Sequence, residues 1–179
     1  MRGPVHFPFF PQTYETERLK VVSVWSFFRD AELSFRPHPT DTRGRSVLEQ
    51  MIHQCVSEDN WFKNFFAIDV GAPPLPAVQD RRAFITRYWE DSGRRLEALR
   101  TRDDAFWEQE VLFFDTPRSR AWIMLRRIAH TAHHRGQQMA MLRMLNHDLH
   151  SNYGPTADTG DEVIYAYPDI ETLLGKLSS

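Results

Sequence analysis

From Pro117 to Asn146 the chain carries no further proline and repeats its apolar residues at helical spacing, so this stretch reads as one long helix. Asp115 or Thr116 is its expected N-cap, with Pro117 at the first helical position, where a missing N–H costs nothing. The inner part, Arg126 to Arg143 (RRIAHTAHHRGQQMAMLR), is centred on His130 and His134. Four residues apart, the two imidazoles lie about 40° apart around the helix and project from one face, one turn from each other. Ile123, His134, Gln137, Met141, Met144 and Leu145 fall within about 60° of His130, which places the pair on the inward stripe of an amphipathic helix.

Such a helix needs partners, and three further stretches supply them. A first helix is expected near 13 to 34, from the spacing of Val21, Val24, Trp25 and Phe28. A second runs from about 46 to 66, started by a capping box of Ser46 with Glu49 three residues on. A third covers 78 to 100, with Ile85, Tyr88, Trp89, Ser92, Leu96 and Leu99 on its buried side. Residues 1 to 12 hold three prolines and read as an irregular arm. Residues 101 to 115 are too aromatic for a free loop and read as an extended or hairpin-like connection, and a short closing helix is expected over 168 to 176. The class is therefore all-α: one four-helix-bundle domain over 1 to 179, with its core at about 13 to 146 and the tail 147 to 179 packed on it. Residues 150 to 158, rich in turn formers, are expected to be ordered near the mouth of a cleft.

Net charge is −2, so no global field points to nucleic acid or an anionic membrane as a partner. No apolar run approaches a membrane span, no signal-peptide pattern opens the chain, and the single cysteine, Cys55, has no partner for an internal disulfide; the expected location is the cytoplasm. Cys55 lies about 160° around its helix from His53 and reads as a buried structural residue.

An i,i+4 histidine pair is not specific by itself, since eight histidines in this length give about 0.35 such pairs by chance. The third candidate ligand is His53 in the second helix. Glu49, Gln50, Val56, Ser57, Asn60 and Asn64 share its face, and the apolar Leu48, Met51, Cys55, Phe62 and Phe66 lie opposite. A polar face leaves two readings, a solvent-exposed histidine or the wall of a polar cleft. His133, about 60° from His130 on the other edge of the stripe, is the poorer ligand. Arg135 is expected to point outward and pair with an acid, and Gly136 suggests a close approach of a neighbouring element. Glu49, one turn before His53, is the carboxylate best placed as general base or as partner of a ligand ring. His6, His38, His147 and His150 read as surface residues.

The combination of H-x-x-x-H-R-G-Q at His130 to Gln137 with a histidine in the second helix resembles the DinB/YfiT-like family of small helical metalloproteins. The resemblance implies an up-down-down-up bundle and selects the cleft reading, with His53, His130 and His134 binding a divalent metal: zinc or nickel first, manganese or iron as alternatives. It also implies a small-molecule substrate, a low-molecular-weight thiol in some relatives, and a homodimer. Hydrolysis or thiol-dependent transfer is the activity that follows from an activated water or thiol. A non-catalytic stress-related or partner-binding bundle is the alternative.

Overall fold

The computed structural model describes residues 7–41, 43–149 and 170–176. Four long helices dominate: α1 (Phe9–Phe27), α2 (Val47–Phe66), α3 (Arg81–Arg100) and α5 (Arg120–Met144). Between α3 and α5 lie a short helix, α4 (Asp104–Glu108), and an antiparallel hairpin of β1 (Glu110–Phe113) and β2 (Thr116–Ser119). A closing helix, α6 (Ile170–Lys176), sets Leu173 into the core. The expected tail wall at 150 to 158 lies outside the described residues, as do His6 and His150.

Contacts along the helices fix their directions. Arg100 at the end of α3 bridges Glu15 near the start of α1, while Arg81 at the start of α3 donates to the Ser26 and Phe28 carbonyls, so α1 and α3 are antiparallel. Trp25 reaches Gln138 and Phe10 packs near Ile123, which makes α1 and α5 parallel. Gln50 meets Met141 and Arg120 meets the Phe65 carbonyl, so α2 runs against α5. The bundle is up-down-down-up.

Several boundaries differ from the sequence reading for local reasons. Helix α1 begins at Phe9, inside the expected arm, because Pro11 falls in the first turn, where no helical N–H is lost. It stops at Phe27, short of 34: Phe28 is extended, Arg81 takes its carbonyl, and Asp30–Glu32 forms a separate 3₁₀ turn. Ser46 and Glu49 form the expected reciprocal cap of α2. Asp80 caps α3, which starts at Arg81 and not at 78. Pro117 does not begin a helix. It pairs with Leu112 in β2, tolerated because β2 has a single neighbouring strand, and Ser119 caps α5 instead. The hairpin turn is Phe114-Asp115, with Phe114 at φ 56°, the left-handed conformation that tight hairpin turns demand.

The apolar core forms two clusters. Trp25, Phe28, Met51, Tyr88 and Met141 belong to one, and Phe10, Tyr14, Phe62, Phe66, Leu99 and Trp107 to the other. Leu96 is buried as expected, whereas Trp89 is only partly so and carries the Arg18 guanidinium 3.5 Å over its ring. At the seam between the clusters sits Glu58, with no exposed surface. It accepts from the hydroxyls of Tyr14 and Tyr88, one from each cluster, and from Arg95 (3.4 Å) and Arg127 (3.2 Å). Burial first, and the Glu58 carboxylate next, push both tyrosine phenols well above their usual range, so they stay protonated donors. Removing Glu58 leaves the buried Arg127 without an ion pair and the buried Arg95 with Asp59 alone. Glu58→Ala should therefore cost about 3–5 kcal/mol of stability in a denaturant titration.

Candidate metal centre

Helices α2 and α5 run antiparallel, and near their midpoints His53 faces His130 and His134. The His130 Nε2 lies 3.4 Å from His53 Nε2 and 3.3 Å from His134 Nε2. One ligand atom from each of the three falls within 4.8 Å of the others. The rings are tilted to one another by 58°, 66° and 77°, so they meet edge-on around a common point and do not stack.

The spacing fits an ion. Two nitrogens bound at about 2.0–2.1 Å in tetrahedral geometry stand about 3.3–3.4 Å apart, the separation both His130 pairs show. The donor chemistry fits as well. His134 Nδ1 lies 3.2 Å from Gln137 Oε1, an acceptor, so Nδ1 carries the proton and the Nε2 lone pair is left for the centre. Gln137 Nε2 in turn donates to His133 Nε2 at 3.1 Å, which holds His133 outside the cluster. These three histidines can hold a metal ion.

Electrostatics keeps the set unprotonated. Burial, then the charge of Arg127, lowers His130 to about 3. Burial and the neighbouring histidines His53 and His133 lower His134 to about 4, against the Gln137 hydrogen bond, which raises it. His53 is also depressed, by burial and then by Arg45 and Arg127. All three imidazoles are neutral at physiological pH, the form that can ligate an ion.

The histidines do not lie at the centre of the buried stripe of α5. Ile123, Met124, Arg127, Thr131, His134, Arg135, Gln138, Met141 and Leu142 form that stripe, whose midline is about 80° around from His130. His130 and His53 are consequently half-buried at its margin, His134 is 4% exposed, and Gln137 and Met144 are exposed. Apolar spacing alone could not find this face, because polar residues complete it. Arg135 is buried and paired with Glu17, where it was expected to point outward, and Arg127 is buried against Glu58 and Ser57. The signal was a set of acids on other helices. Gly136 has nothing within 4 Å of an added Cβ, so the expected close approach is absent. Cys55 is buried and its thiol is pushed up to about 12 by burial, which suits a structural role. His147 is not a surface residue; it pairs with Glu32 at 2.9 Å.

Glu49 stands one turn before His53 with both oxygens engaged, one by Arg36 and the other by the Ser46 N–H. Trp61, unremarked in the sequence, stacks 6.0 Å from the His130 ring and meets Phe113 of the hairpin at 5.1 Å, giving the site an aromatic wall.

No family model and no curated protein matches the chain. Among solved structures, a DinB-like protein from Bacillus cereus ATCC 10987 superposes with a TM-score of 0.70 at 18% identity, covering 80% of this chain and 95% of that one. The fold is DinB-like. No described helix of this DinB-like bundle is long and apolar enough to cross a membrane.

Two measurements follow. In metal-free protein an NMR titration should find His130 and His134 still neutral at about pH 5, below the ordinary histidine value of about 6.5. Because their folded-state values are depressed, the unfolded chain binds more protons in this window. Their contribution to stability is complete above about 6.5 and falls as pH drops towards 4. Gln137→Ala, which frees the His134 tautomer, should weaken metal binding by about tenfold in a chelator competition.

Proposed function

We propose that this protein is a metal-dependent enzyme in which His53, His130 and His134 hold a divalent ion, zinc or nickel before manganese or iron, and a small molecule is hydrolysed or transferred to a thiol. One observation carries the reading. Among the described residues the cluster has three donors and no fourth His, Cys, Asp or Glu, and two of the three are half-exposed. Structural zinc sites close with four protein ligands, whereas catalytic ones keep three and leave a position open. This favours an enzyme over a clip that only joins α2 to α5.

A bound divalent ion supplies Lewis acidity, lowering the pKa of a water or thiol towards neutrality. The chain's own residues do the rest. Gln137 fixes the His134 ring, and burial keeps all three imidazoles unprotonated. The Trp61 and Phe113 rings shield one side of the site from water. Glu49 is the candidate base, and as such it first has to release Arg36.

Single variants His53→Ala, His130→Ala and His134→Ala should each lose most of the metal measured by elemental analysis, while His133→Ala keeps it. One ligand variant that retains a full equivalent at neutral pH removes that histidine from the set. Occupancy should persist through pH 6 and fade towards about 4, where half of the His134 imidazole is protonated. In an ester-hydrolysis and thiol-transfer screen, activity should vanish with chelator and return with metal; a fully metallated protein inactive in both would leave the structural clip. Glu49→Gln should lower kcat with metal content intact.

A further inference from the structure

Beside the metal centre, between Pro37 and Arg43 to Arg45 on one side and the C-terminal half of α5 on the other, lies a cavity of about 230 Å³. Arg43, Arg45, Gln50, Gln137, Met141 and Met144 line it. It adjoins the histidines at two points: Gln137 is bonded to His134, and Gln50 lies one turn before His53 on α2.

Among the described residues, two polar groups lining this cavity, Gln50 Oε1 and the Arg45 guanidinium, lack partners. Gln50 is 3% exposed; its Nε2 donates to the Met141 sulfur at 3.4 Å, and its Oε1 has no hydrogen bond among the described residues. A buried acceptor in that state can take a donor from a bound molecule or a water. The two arginines differ. Arg43 is held by both oxygens of Asp41, at 2.9 Å each, so its charge is compensated. Arg45 is exposed and has no ion pair or hydrogen bond among the described residues. Its field reaches His53 and His134, which puts its charge on the side of the centre.

We propose that this cavity is the substrate-recognition subsite of the metal centre and takes a small carboxylate that bears an amide N–H, with the carboxylate on Arg45, the N–H on Gln50 Oε1 and the apolar part against Met141 and Met144. The inference rests on the metal-centre reading above for its catalytic meaning, and on the cavity for the binding itself. One uncompensated guanidinium matches a monoanion. The volume is below the roughly 300–1,000 Å³ of drug-sized sites, so the ligand is small. The methionine side chains adapt to varied apolar shapes, which leaves Arg45 and Gln50 to set the chemistry.

The test uses metal-reconstituted protein, with N-acetylglycine and its methyl ester as probes, titrated by NMR into the natural protein, Arg45→Gln and Gln50→Leu, with metal content measured in each. Arg45 is an exposed loop residue, so its variant folds. N-acetylglycine should bind the natural protein and weaken by about tenfold in Arg45→Gln. The ester should bind weakly and equally to both, and Gln50→Leu should weaken both probes. Equal affinity of N-acetylglycine for the natural protein and Arg45→Gln, or no binding at millimolar concentration, overturns the subsite while a full metal complement leaves the centre standing. Arg45-dependent binding in a protein that takes up no metal supports the subsite and overturns the centre.

Discussion

A single carboxylate without exposed surface, Glu58, holds two guanidinium groups and two phenols at the seam of the bundle. Each long helix contributes to it: Tyr14 from α1, Glu58 from α2, Tyr88 and Arg95 from α3, Arg127 from α5. Buried charges are tolerated only when paired and hydrogen-bonded, so this cluster admits few alternative helix registers. Sliding α5 by one turn against α2 would part Arg127 from Glu58 and His130 from His53 together. The register that satisfies the charges is the one that assembles the histidines.

The three-histidine cluster is built on that rigidity. Its three rings come from two helices whose relative position is set about one turn away by Arg127 with Ser57 and Glu58, and on the other side by Gln138 with Gln54 at 2.9 Å. Ligands carried on packed helices keep their geometry better than ligands on loops. The surroundings are asymmetric: an aromatic wall of Trp61 and Phe113 faces one side, and the arginine-bearing segment before α2 faces the other. A molecule reaching the centre meets an apolar surface and a cationic one at once.

How much of this was legible depended on the kind of signal. The capping box at Ser46 and Glu49, the four helical runs apart from some of their ends, the unbroken length of α5 and the His130–His134 pair are local features, and the structure contains all of them. His53 was readable only as a histidine on a polar face. Where local signals met tertiary demands, tertiary demands prevailed: Pro117 entered a hairpin strand and not a helix start, because the preceding aromatics pair and pack as a ribbon against Trp61 and Trp122.

By itself the sequence determined the presence of the four long helices, the cap of α2 at Ser46 and two imidazoles one turn apart, since each depends on residues within a few positions of one another. The tertiary structure alone decided which face of α5 turns inward. Arginines count as surface residues until acids from other helices neutralise them, so the burial of Arg127 and Arg135 became visible only with Glu58 and Glu17 in place. That rotation moved His130 from the centre of the stripe to its margin. There the three histidines meet at the edge of the core, where an ion can be both held by the protein and reached from outside.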